Sequence, residues 1–159
     1  IIQETTNGIG ICAKKIYSFL YENSSRGFTK TQLAAVTVYS VKSGGFNNAI
    51  ASLNARGLIK KVGEEIWFGA ENSEHIIASE KYSPELWLNK LGKCEGEIYR
   101  ILWNNPDSSF TKEELAGKTP TNYSSTSGGF NNAISHLNAI GLLRRENGGI
   151  RLNPKLLEL

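Results

Sequence analysis

The chain has 159 residues, 40% hydrophobic and 21% charged, with a formal net charge of +3. That is an ordinary globular composition, with apolar material for a packed core. No apolar run approaches the about eighteen residues of a membrane span and no signal-peptide pattern opens the chain, so a cytoplasmic protein without membrane contact is expected. The chain starts at Ile1 and contains no Met, which suggests a fragment of a longer polypeptide.

In chain order, the apolar spacing predicts a first helix over 10–23. Cys12, Ile16 and Leu20 stand on its buried stripe, where a free cysteine acts as a small hydrophobe. No Cys or His lies at ligand spacing, so neither a metal nor a disulfide is expected, and no cofactor is implied. A second, short helix starts at Thr29-x-x-Gln32, a capping box. A turn containing Tyr39-Ser40 leads to a third helix, which begins near Ser43 and ends before Gly57. Its apolar stripe is Phe46, Ala49, Ile50 and Leu53. Short strands at 58–62 and 66–68 around a tight turn at Gly63-Glu64 predict a hairpin. Residues 69–82 are polar and acidic, as a linker would be. Ser83-Pro84-Glu85 resembles a helix start whose face of Leu86, Trp87, Leu88 and Leu91 is expected to pack on one or both neighbouring domains, or in a dimer.

The pattern then repeats. Cys94, Ile98-Tyr99, Leu102, Phe110-Thr111-Lys112 and Leu115-Ala116 match the first copy at an offset of 82. From Tyr123-Ser124 the offset is 84, which places a two-residue insertion near Thr119-Pro120-Thr121. The second copy has a helix over 93–105, a capping box at Thr111-x-x-Glu114, and a third helix from Ser127 to before Gly141 with Phe130, Ala133, Ile134 and Leu137. Strands at 142–145 and 150–152 follow, around Asn147-Gly148-Gly149, a good hairpin turn. The domains expected are therefore 1–68, a linker with connecting helix over 69–91, and 92–159. The fold class is mainly α with small β-hairpins, that is α+β. Residues 1–68 carry 8 Lys and Arg against 4 Asp and Glu, a mildly basic balance that suits nucleic acid and suits an ordinary solvated surface too.

Helix, helix, turn, helix, hairpin is the order of a winged helix-turn-helix. The stretches "LNARGLIKKVGEEIWF" and "LNAIGLLRRENGGIRLN" resemble the winged-helix domains of bacterial and archaeal DNA-binding proteins. A narrower string, "YSxxSGGFxNAxxxLxxxGL", is similar to uncharacterised C-terminal regions of prokaryotic proteins, some attached to P-loop ATPases; no GxxxxGK[ST] occurs in this chain. The resemblance implies two tandem winged helix-turn-helix domains. It also implies double-stranded DNA binding through the third helix of each, as a non-catalytic module of a larger prokaryotic protein.

The string SGGFNNAI stands letter for letter at 43–50 and at 127–134. The apolar stripe leaves Ser43, Gly44, Asn47, Asn48, Ala51 and Asn54 facing outward, with Ser127, Gly128, Asn131, Asn132, Ser135 and Asn138 in the second copy. Asn pairs bidentately with adenine, so both asparagines of the string in each copy are candidate base readers. Gly44-Gly45 and Gly128-Gly129 suit backbone approach to phosphate, or else close packing of the third helix on the first or second. Lys60 and Lys61, with Arg144 and Arg145, are candidate phosphate contacts, as are Lys42, Arg56, Lys118 and Arg151. The two copies differ at presumed surface positions such as Lys14-Lys15 against Gly96-Glu97, so identity at the asparagines favours a contact role. Catalysis is not expected: His75 falls in the linker, His136 replaces Ser52, and no base and nucleophile recur together. The rival expectation is a protein docking or oligomerisation module, for which the small net charge, Glu64-Glu65 and the candidate exposed residues Trp67, Trp87 and Trp103 speak.

Overall fold

The computed structural model describes residues 10–69 and 83–159. The chain divides into two compact units, Ile1–Ser83 and Pro84–Leu159. The first contains α1 (Ile11–Glu22), β1 (Phe28–Thr29), α2 (Lys30–Thr37), α3 (Gly44–Ala55), β2 (Ile59–Val62) and β3 (Glu65–Phe68). The second contains a 3-10 helix η1 (Pro84–Asn89), α4 (Lys93–Asn104), α5 (Lys112–Lys118), α6 (Gly128–Ala139), β4 (Leu143–Glu146), β5 (Gly149–Leu152) and a closing 3-10 helix η2 (Pro154–Glu158). The fold is α+β with small antiparallel sheets, and none of the described helices is long and apolar enough to cross a membrane.

Each unit is held by the stripes that helical spacing predicts. In the first, Ile16, Leu20, Leu33, Phe46, Ile50 and Leu53 share one core with Phe28, Leu58, Ile59 and Ile66. In the second, Ile98, Leu102, Leu115, Phe130, Ile134 and Leu137 are buried at the equivalent positions. Thr29 and Thr111 close true capping boxes with Gln32 and Glu114. Gly57 and Gly141 take positive φ, 70° and 86°, directly after α3 and α6, the left-handed stop that a Cβ would disfavour.

Three differences from the sequence expectations have local causes. The strand β1 was not foreseen: it has two residues, and Phe28 and Thr29 pair with Ile66 and Glu65 to complete a sheet of order β1-β3-β2. In the second unit this pairing shrinks to one bridge between Phe110 and Ile150. The segment after Ser83 belongs to the second unit and winds as 3-10 helix. Trp87 is buried there, and the Tyr99 hydroxyl donates to the Pro84 carbonyl at 3.0 Å. Residues 70–82, with most of the expected linker and His75, lie outside the described residues.

Cys12 is buried as expected, but Cys94 is half-buried. Burial, with the Glu97 and Glu95 carboxylates nearby, pushes the Cys94 thiol up and keeps it protonated. The Lys14-Lys15 against Gly96-Glu97 difference also has an internal cause. Glu97 accepts from the Thr121 amide at 2.9 Å and hydroxyl at 2.7 Å, so it pins the inserted turn, which the first copy lacks. Lys15 instead lies over the Tyr39 ring.

Candidate nucleic-acid interface

The string SGGFNN opens α3 and α6 in the same geometry. Ser43 and Ser127 are the N-caps, accepting from the amides of Phe46 at 3.0 Å and Phe130 at 3.2 Å. Gly44 and Gly45 are then the first two helical residues, as are Gly128 and Gly129. Their amides are orphan donors that helix geometry leaves without an intrahelical acceptor, and the cap serves only the third amide.

All four glycines are exposed. A Cβ built on any of them meets nothing within 4 Å, and none has positive φ. Close packing of the third helix therefore does not explain them, and backbone conformation does not either. Glycine costs a helix interior about 0.5–1 kcal/mol relative to alanine and less in the first turn, and no contact among the described residues offsets that cost.

The asparagine pair divides. Asn47 is half-buried, and both hydrogens of its amide are used: Nδ2 donates to the carbonyls of Val41 and Ser43, each at 2.9 Å. Its Oδ1 accepts from Lys30 at 3.3 Å. Asn131 repeats the arrangement with Ser125 and Ser127, again at 2.9 Å each. These asparagines tie the preceding turn to the helix. That turn is itself closed by Ser43 N to Ser40 O and by Ser127 N to Ser124 O. Bidentate pairing with adenine needs a free amide donor, so Asn47 and Asn131 are not base readers in this geometry. The signal was present in the sequence: an Asn four residues after a Ser cap is placed to bond the carbonyl at i−4. Asn48 and Asn132, one position on, are exposed, and their side chains make no hydrogen bond with the described residues.

The basic candidates separate as well. Lys60 pairs in register with Trp67 and Lys61 with Ile66. Neighbouring strand residues point to opposite faces, and Ile66 faces the core, so Lys61 lies on the helix side of the hairpin and Lys60 on the far side. In the second unit Arg145 donates to Ser135 Oγ on α6 at 3.1 Å, while Arg144 is drawn to Glu146 at 3.8 Å. Of the four hairpin cations Lys60, Lys61, Arg144 and Arg145, Lys61 and Arg145 thus share a side with the third helices. Glu146 also pairs with Arg151 at 3.4 Å. Lys42, just before the Ser43 cap, is exposed and has no acidic partner among the described residues, whereas Thr126 holds its place in the second unit. His136, on α6, is paired to Glu95 at the start of α4.

No family model, curated protein or solved structure matches this chain. The geometry of the two helix openings carries the functional reading.

The tryptophans expected on the surface are largely withdrawn from it. Trp87 is 1% exposed, and the indole nitrogens of Trp67 and Trp103 are buried, with no partner among the described residues. Among the described residues, the exposed large hydrophobics are Ile11, Val62, Leu157 and Leu159. Ile11 opens α1, Val62 ends β2 at the hairpin turn, and the two leucines lie in the last three residues of the second unit.

Proposed function

We propose that each unit is a winged helix-turn-helix and that the chain binds double-stranded DNA through the N-terminal turns of α3 and α6. The observation that carries this reading is the bare Gly-Gly pair at the head of both helices. Among the described residues nothing stands within 4 Å of a Cβ added at either glycine, and the side-chain cap serves only the third amide of each helix. A helix N-terminus favours an anion through its donors and its dipole, and removing the side chains lets a phosphate reach the backbone itself. Lys61 and Arg145 on the same side, with Lys42 in the first unit, add positive charge where a phosphate backbone would run.

A protein-docking role has less support, because the tryptophans meant to anchor it are buried or half-buried. A fluorescence-anisotropy titration with a random-sequence duplex of about 30 base pairs, long enough for two heads, tests the reading. Binding should weaken steeply between low and moderate salt, as counterion release requires. Absence of binding to any duplex at low salt would end it.

A further inference from the structure

Resting on the DNA-binding reading above, we infer that Asn48 and Asn132 read adenine in two equivalent half-sites, and that Asn47 and Asn131 are positioning residues that set the angle of the reading helix without touching a base. The inference comes from what each side chain has left to offer. An adenine edge in the major groove presents an N7 acceptor and an N6 donor, so its reader must supply one amide hydrogen and one carbonyl oxygen together. Asn47 and Asn131 have spent both amide hydrogens on the turn before the helix. Asn48 and Asn132 are exposed, and no described residue takes up their side-chain donors and acceptors.

Position supports the same assignment. Residues three and four apart share a helix face, so Asn48 lies directly beyond Gly45 and Gly44 toward the helix centre, about 6 Å along the axis. A backbone that settles on the two bare glycines brings its base edges to that residue. The next outward position is not shared between the units: Ala51 stands where the second has Ser135. Beside the caps and glycines, the first two turns of both helices thus present a single exposed side chain of the same type, and both units present the same base-reading chemistry. The target that follows is a pair of adenine-bearing half-sites.

The test is binding-site selection from a random duplex library with the full chain, followed by anisotropy on the selected duplex and on copies carrying 7-deazaadenine at the read positions. Selected sites should contain adenine at one equivalent position in each half-site. The 7-deazaadenine copies, which lack the N7 acceptor and so one of the two bonds of the bidentate contact, should bind about three- to tenfold more weakly per half-site. Asn48→Ala should relax the preference in one half-site and Asn132→Ala in the other, with the urea midpoint no lower than the parent's, since alanine is the better helix former. Asn48→Gln, which keeps both groups, should retain it. Asn47→Ala should lower the urea midpoint and weaken binding to all duplexes without changing base preference. Duplex binding whose base preference survives both Asn48→Ala and Asn132→Ala would overturn this assignment and leave the DNA reading standing. Failure of the unaltered chain to bind any duplex would overturn both.

Discussion

Replacing Gly44, Gly45, Gly128 and Gly129 by alanine should separate what the chain needs from what its partner needs. Each glycine is at the first or second helical position, has ordinary negative φ, and has no atom within 4 Å of a built Cβ. Alanine can therefore enter without strain, and Gly→Ala at a compatible site stabilises by about 0.4–1 kcal/mol, chiefly by restricting the unfolded chain. The first turn is a weak position for this effect, so the low end applies, giving about 1 kcal/mol per unit. Binding should move the other way. The added methyls cover the two orphan amides, and loss of even one hydrogen bond to a charged acceptor costs about 1.5 kcal/mol, or about tenfold in affinity per unit. Urea denaturation and duplex anisotropy on the same preparations measure the two quantities. A quadruple variant less stable than the parent would show that the glycines serve packing after all. One that binds DNA as tightly as the parent would refute their role in backbone approach.

Three further outcomes follow from side-chain geometry. Asn47→Ala removes two bonds to backbone carbonyls and should destabilise the first unit by about 1–2 kcal/mol, with Asn131→Ala doing the same in the second, read as faster amide exchange in α3 or α6; exchange unchanged from the parent would contradict the tie. Val38 sits in the left-handed region at φ 59°, where the second copy has Asn122 at the same angle, so Val38→Asn should stabilise by about 1 kcal/mol, and a lower thermal midpoint would contradict it. For Glu97, burial pushes the carboxyl up, but the Thr121 hydrogen bonds and nearby Lys93 outweigh it and hold it below the usual carboxylate range. A depressed carboxylate contributes stability above its unfolded value, about 4.3, and loses it as pH falls through the lower folded value. The thermal advantage of the parent over Glu97→Gln should therefore shrink below about pH 4, and a constant gap from neutral pH to pH 3 would contradict it.

The repeat, the helix starts, the left-handed stops and the core stripes were all legible in the sequence, because each is a local pattern of capping, period and glycine placement. Phe46, Ile50 and Leu53 announce their burial by spacing alone. What was not legible depends on groups that meet across the turn. The strand of Phe28 and Thr29 is too short to have a period, and exists because β3 offers it an edge. In SGGFNN the sequence leaves the glycines open between backbone approach to phosphate and close packing, and makes both asparagines candidate base readers. The side-chain geometry gives Asn47 and Asn131 an internal role, while a Cβ on any of the four glycines meets no described residue within 4 Å. Lys60 and Lys61 looked equivalent as a charged pair; only the register with Trp67 and Ile66 separates their faces.

The central claim is that the bare helix openings touch nucleic acid, and glycine amides are among the most readily recognised signals in an amide correlation spectrum. Titrating a selected duplex into isotope-labelled protein should shift or broaden the amides of Gly44, Gly45, Gly128 and Gly129 first and most, while the core of each unit stays unmoved. A saturable duplex interaction that leaves those four amides in place and perturbs another surface instead would contradict the account.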